Sequence, residues 1–160
     1  MQAQEQEREF IRRVQAHQGL LNKLVYLYAD VAEDRQDLRQ EILLQAWRAY
    51  PRFQGAARFS TWLYRIGLNV ALTSLQRTKK HAAADLPPDA DGPPAPTAPF
   101  EADDRLQYVL RRFSAVDRTL LVMTMDGYSP EEIGAALGLR PGALRTRLHR
   151  LRHRVEQLWH

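Results

Sequence analysis

Between Arg140 and Arg154 the segment RPGALRTRLHRLRHR carries six arginines and no acid. A guanidinium presents a planar fork of N–H donors and never gives up its charge near neutrality, so this spacing points to phosphate oxygens and guanine edges. Successive helical residues turn by about 100°. On that basis Leu144, Leu148, Leu151, Val155 and Leu158 share one apolar face, with Gly142, Thr146, His149 and His153 opposite. Ala143 and Arg150 lie beside the polar face, and Arg145, Arg147, Arg152 and Arg154 flank it. Small residues near the start of such a helix would let it enter a major groove closely. Flanking arginines could reach phosphates, and Arg147 or Arg150 could reach a base. The plainer alternative is a solvated basic face on a surface helix.

A second constellation surrounds RFSTWLYRIGLNVALTSLQR, residues 58–77. Helical spacing groups Phe59, Trp62, Leu63, Ile66 and Val70 as core, puts Tyr64 toward the boundary, and aligns Thr61, Arg65, Asn69 and Gln76 on the opposite side. The preceding loop PRFQGAARF offers Arg52, Gln54 and Arg58 on a glycine-bent segment. Polar and aromatic groups around such a loop suit an unstacked base. A third feature is the helix DLRQEILLQAWRAY. Its polar side runs through Asp37, Gln40, Glu41 and Arg48, and Leu44 interrupts it. An apolar residue among polar ones marks either a protein contact or one stray exposed leucine.

These groups require helices to position them. Phe10, Val14, His17, Leu21, Leu24 and Tyr28 recur at intervals of three and four, predicting a first helical stretch. A second helix is predicted from about Asp34 to Tyr50, broken by Pro51 and Gly55, with Ser60 placed to cap a third that reaches about Arg77. In the C-terminal part, helices are expected over about 101–113 and 115–126. Next comes SPEEIGAALG, in which Ser129, Pro130 and Glu132 form a capping box and Gly138 a stop. Pro141 opens the basic helix, so a short capped helix, a turn and a basic helix make a helix-turn-helix signature. Six of the nine prolines fall within residues 79–100, which read as a linker. No segment has a strand-like alternation. The expected architecture is all-α: two small helical domains, 1–78 and 101–160, joined by a flexible linker.

Composition narrows the chemistry. The net charge of +4 favours polyanionic partners. Absence of cysteine excludes disulfides, thiolate zinc sites and a cysteine nucleophile. No apolar run approaches the roughly 20 residues of a membrane span, and MQAQEQEREFIRR lacks the apolar core of a signal peptide, so a cytoplasmic location is expected. The five histidines lack a metal-binding spacing such as H-E-x-x-H; His17 sits on an apolar stripe. A nuclease built on Asp30, Glu33, Asp34 and Asp37 is the enzyme alternative, but acids gather at a helix start anyway. No catalytic residue, metal or cofactor is expected.

The segment EDRQDLRQEILLQAWRAYPRFQGAARFSTWLYRIGLNVAL resembles the second conserved region of extracytoplasmic-function sigma factors. FSAVDRTLLVMTMDGYSPEEIGAALGLRPGALRTRLHRLRHRVEQL resembles their fourth. The resemblance implies binding to core RNA polymerase, delivery to particular promoters, and commonly restraint by an anti-sigma factor. It makes Asp37, Gln40, Glu41 and Leu44 contacts to the clamp helices of the large polymerase subunit. It assigns Arg52, Gln54, Arg58, Thr61, Arg65 and Asn69 to recognition and melting of the minus-ten element. It assigns Arg140, Ala143, Arg145, Thr146, Arg147, His149 and Arg150 to the minus-thirty-five element, and threads the linker near the RNA exit path.

The sequence departs from the family pattern in three places. Thr73 stands where an Asp is common, QR replaces a paired Arg, and RPGALR opens the last helix where Ser or Thr usually caps. Arg140 cannot accept helix N–H bonds, which leaves it for a phosphate or base. The alternative function is a helix-turn-helix regulator that acts without joining polymerase; it gives the first 78 residues no task.

Overall fold

The helical period of the N-terminal stretch breaks at His17. There the backbone leaves the helix (φ −116°, ψ 25°), and the ring Nδ1 bonds Arg13 O at 2.7 Å. What the spacing predicts as one stripe is therefore two helices, α1 (Gln2–Ala16) and α2 (Gln18–Tyr28). His17 packs on Phe59, with ring centroids 4.9 Å apart. The computed structural model describes residues 1–55, 57–85 and 104–159, with residues 75–85 and 104 described by backbone alone.

Helix α3 (Ala32–Ala49) follows, then a 3-10 turn (Tyr50–Arg52) and the long α4 (Phe59–Asp85). The C-terminal part contains α5 (Asp104–Leu110), α6 (Ala115–Met125), α7 (Pro130–Leu137) and α8 (Pro141–Trp159). All secondary structure among the described residues is helical. Two boundaries differ from expectation. Ser60 is not the cap of α4, which starts a residue earlier; its hydroxyl instead accepts a bond from Tyr128 Oη at 2.9 Å. And α4 persists past Arg77 to Asp85, because Lys79, Lys80 and the alanines 82–84 tolerate helix and the first proline comes only at Pro87. The rest of the expected linker, and the expected helical residues 101–103, lie outside the described residues. No helix among the described residues is long and apolar enough to cross a membrane.

The helices bury most of the stripes that their spacing foretells, with Trp62, Ile66, Val155 and Leu158 only half-buried. Leu21 and Leu24 of α2, Ile42 and Ala46 of α3 and Leu63 of α4 are fully buried together. Each such Leu or Ile contributes about 1.5–3 kcal/mol by leaving water. At Gly67 the crossing of α4 over α2 is so close that an added Cβ would lie 3.0 Å from Leu24 Cδ1. In the C-terminal part Leu120, Met123, Ile133 and Leu144 are buried, and the two parts contribute to one continuous apolar cluster. Helix α4 packs on α2 and α3 with one side and on α6 and α7 with the other.

Where the two parts meet, polar side chains also pair across the apolar cluster. Tyr28 Oη bonds Thr119 Oγ1 at 2.5 Å, and Thr119 in turn donates to Ala115 O. Tyr64, almost fully buried, donates to Asp126 at 2.7 Å, and Lys23 bridges both oxygens of the same carboxylate at 2.8 and 2.9 Å. Arg118 donates to Leu27 O at 3.0 Å, supplying a partner to an end carbonyl of α2. Burial, reinforced for Tyr64 by the Asp126 carboxylate, raises the phenols of Tyr28 and Tyr64 far above the ordinary tyrosine range. A raised folded-state pKa means that the neutral phenol is the stabilised form. Its contribution is complete below the unfolded value of about 10 and is lost as pH rises beyond it. The denaturant midpoint is accordingly expected to fall between about pH 9.5 and 11, and to fall less steeply in Tyr64→Phe. Equal slopes in urea titrations of the two proteins would count against this coupling.

Candidate polymerase and nucleic-acid interfaces

The loop before α4 is pinned by one aromatic side chain. Phe53 lies against Trp62 (centroids 5.1 Å), edge-on to Phe59 (5.9 Å) and nearly parallel to Tyr50 (6.0 Å). The Arg13 guanidinium sits 5.1 Å from the Phe53 centroid. Gly55 turns the chain with φ +74°, a conformation that side chains rarely adopt. With Phe53 held inward, Arg52, Gln54 and Arg58 are left exposed. Arg65 and Asn69 continue the exposed surface along α4. Arg52 and Arg65 have no ion-pair partner among the described residues, whereas Arg58 pairs with Glu132 at 2.9 Å.

Thr61 does not belong to this surface. It is only 4% exposed, and its Oγ1 donates to Arg58 O at 2.8 Å. A threonine in the first turn of a helix can bond the carbonyl three residues back, which is the local signal that periodicity overlooked. Tyr64 likewise lies fully inside rather than at a boundary, and the Gln76 side chain is outside the described residues.

On α3, Asp37, Gln40 and Leu44 are exposed, Leu44 by 41%. Glu41 is half-buried and accepts from Gln45 Nε2 at 3.0 Å. Trp47, one step further along and 39% exposed, rests on Phe10 with centroids 5.1 Å apart. Spacing of three places it beside Leu44 and enlarges the apolar step on an otherwise polar face. The sequence reading missed Trp47 because tryptophan at such a position reads as core. An open groove of about 970 Å³ between α3 and α4 brings Asp37 and Glu41 on one wall toward Asn69 on the other.

The helix-turn-helix forms as its punctuation requires. Ser129 and Glu132 make a reciprocal capping box, and Gly138 ends α7 with φ +72°. Gly134 O accepts from Leu139 N at 2.9 Å, and a Cβ on Gly134 would lie 2.8 Å from Leu139 O. Leu144, Leu148 and Leu151 are buried, while Arg140, Ala143, Arg145, Thr146, His149 and Arg150 are exposed. Arg145 pairs with Glu131 at 2.5 Å, and the same arginine lowers the Glu131 pKa after the helix-start backbone does. Arg147 is a different case: half-buried, with its Nε on Asp117 at 2.7 Å, it ties α8 to the first turn of α6. Arg150 and Arg140 have no ion-pair partner among the described residues.

The Sigma-70 region 2 family model matches residues 13–81. The chain is 34% identical over 146 residues to the ECF RNA polymerase sigma factor SigM of Mycobacterium tuberculosis, covering 89% of this chain and 72% of that protein. It belongs to the extracytoplasmic-function sigma factors. RNA polymerase sigma factor CarQ of Myxococcus xanthus is 33% identical over 154 residues, covering 93% and 86% of the two chains. The fold also matches the sigma factor RpoE, solved in complex with the anti-sigma factor NepR from Bartonella quintana. That match has a TM-score of 0.72 at 21% identity and covers 94% of this chain and 96% of that one. A stand-alone helix-turn-helix regulator is thereby displaced, since the match to region 2 falls on the residues that reading left without a task. As a sigma factor, the chain serves transcription initiation by RNA polymerase. For its helix-turn-helix, Gly134→Ala is expected to cost roughly 1–3 kcal/mol by driving the new methyl into the turn. A denaturation midpoint equal to that of the unsubstituted protein would contradict this.

Proposed function

We propose that this sigma factor reads its promoter with two separate surfaces and docks on polymerase with a third. Residues 1–78 act as region two, 101–160 as region four, and 79–100 connect them. The observation that carries the reading is the exposure of Arg52, Gln54 and Arg58 in the loop together with that of Arg65 and Asn69 on the helix that follows. In this reading the loop receives a base flipped from the non-template strand at the minus-ten element, while arginines neutralise the flanking phosphates. Buried Thr61 supports the loop from behind through Arg58 O.

Helix α8 takes the minus-thirty-five element. Arg150 is the reader of a base edge, with Thr146, Ala143 and His149 beside it, and Arg140 and Arg145 meet phosphates. Arg147 braces the helix through Asp117 and completes the basic field. The clamp helices of the large polymerase subunit dock on Asp37, Gln40, Glu41 and Leu44. Trp47 extends the apolar contact. The chain acts by binding alone, without catalysis of its own, in the compartment that holds polymerase, and an anti-sigma factor is its regulatory partner.

The deciding experiment mixes purified protein with bacterial core RNA polymerase, measures complex formation, and then scores transcription from a library of promoter fragments. Promoter-selective initiation is expected; a protein that never joins core overturns the reading. Leu44→Asp is expected to weaken association with core by tenfold or more (about 1.4 kcal/mol) while leaving thermal unfolding unchanged. Arg150→Ala is expected to relax selection at one upstream position and cost about 1–3 kcal/mol of binding. Retained selection at every upstream position would move the reader elsewhere on α8.

A further inference from the structure

We infer that Arg13 of α1 is a positioning residue for minus-ten recognition: it fixes Phe53 and so sets where the neighbouring Arg52 and Gln54 point. This role rests on the proposed reading of the minus-ten element by Arg52, Gln54 and Arg58.

Three aromatic rings converge on one guanidinium. The Arg13 guanidinium carbon lies 5.1 Å from the Phe53 centroid and 5.9 Å from the centroids of both Tyr50 and Phe59. Tyr50 opens the 3-10 turn, Phe53 follows it, and Phe59 begins α4. Phe53 in turn lies 6.0 Å from Tyr50 and 5.9 Å from Phe59, so one cation faces every member of a single aromatic group. Glu9, one turn back on α1, holds Arg13 Nη2 at 2.8 Å and restricts its rotamers. That tether lies ahead of residues 13–81, outside the stretch matched to region 2. The Arg13 carbonyl also takes part, accepting from His17 Nδ1 at 2.7 Å while the His17 ring packs on Phe59. Side chain and main chain of Arg13 therefore both bear on the base of the loop.

Little else in the loop replaces this brace. Among the described residues its backbone is tied at the two ends, where Phe53 N donates to Tyr50 O at 2.9 Å and Arg58 O accepts from Trp62 N at 3.1 Å. Phe53 has an extended backbone (φ −73°, ψ 110°), so its neighbours project to the side opposite its own ring. Arg52 and Gln54 are exposed, and neither side chain has a hydrogen-bond partner among the described residues. Their direction is set through Phe53, and a Phe53 ring released from the cation would carry both with it.

The test uses the full chain with core polymerase and a promoter that the holoenzyme selects. Arg13→Gln removes the cation, and Arg13→Lys restores one. Glu9→Gln, at an exposed position, removes only the tether. Discrimination is read as the ratio of initiation rates on that promoter and on one carrying a single minus-ten substitution. Backbone amide order parameters of Gln54 and Gly55 in the free protein report the loop.

Arg13→Gln is expected to lower discrimination about tenfold and to lower both order parameters, with affinity for core unchanged. Glu9→Gln should act in the same direction by a smaller factor, and Arg13→Lys should stay within about threefold of the unsubstituted protein. In a Phe53→Leu background, Arg13→Gln should cost less than about twofold more, since both act through one ring. An additive loss there, unchanged order parameters, or a lysine variant no better than the glutamine one overturns the positioning role. So does a fall of about one in the salt slope of promoter binding, which would make Arg13 a phosphate contact itself. Lost order with full discrimination overturns its part in recognition. Failure of the unsubstituted protein to initiate with core would instead defeat the functional reading, while the order parameters still decide whether Arg13 fixes the loop.

Discussion

One helix, α4, has to bury two sides at once, and the arrangement of everything else follows from that constraint. Leu63, Gly67 and Val70 are committed to the interior, with Gly67 allowing α2 to approach within contact of the backbone. Tyr64 points toward the C-terminal part and ends on Asp126. What remains for solvent is a narrow strip through Arg65 and Asn69, continuous with the loop that Phe53 anchors. A surface so confined is well suited to positioning, because rigid neighbours fix the rotamers of the side chains that project from it.

The contact between the two parts combines two kinds of interaction with different consequences. Apolar burial runs continuously from one part to the other and favours association without specifying register. The register comes from the polar pairs, above all the Asp126 carboxylate shared by Lys23 and Tyr64. Removing one member of such a group leaves the others unsatisfied, so the arrangement is discriminating even where its net stability is small.

The helix-turn-helix shows a similar division of labour. Its turn is closed by backbone chemistry, with Gly134 accepting from Leu139 and Gly138 in the left-handed region. Its last helix is then braced by Arg147 on Asp117, which commits one of six arginines of the basic segment to structure. Charge density in a sequence is therefore an upper bound on charge available to a partner.

Helix existence, the capping box at Ser129, the stop at Gly138, the exposed Leu44 and the basic face around Arg150 were all legible in the sequence, because each depends on contacts within a turn or two of the chain. So was membership of the sigma family, which rests on two long matching segments. Periodicity failed at His17, where a side-chain bond to the Arg13 carbonyl ended a helix that the apolar stripe appeared to continue. It also failed at Thr61, whose hydroxyl found a carbonyl and turned inward. The pairings of Arg58 with Glu132, Tyr64 with Asp126 and Tyr28 with Thr119 join residues 62 to 91 positions apart. No local pattern encodes them. The sequence by itself determined which helices form and which faces carry charge, since those are set by neighbours along the chain. Only the tertiary structure decided which of those charges are already spoken for, since ion pairing depends on which helices come to lie side by side.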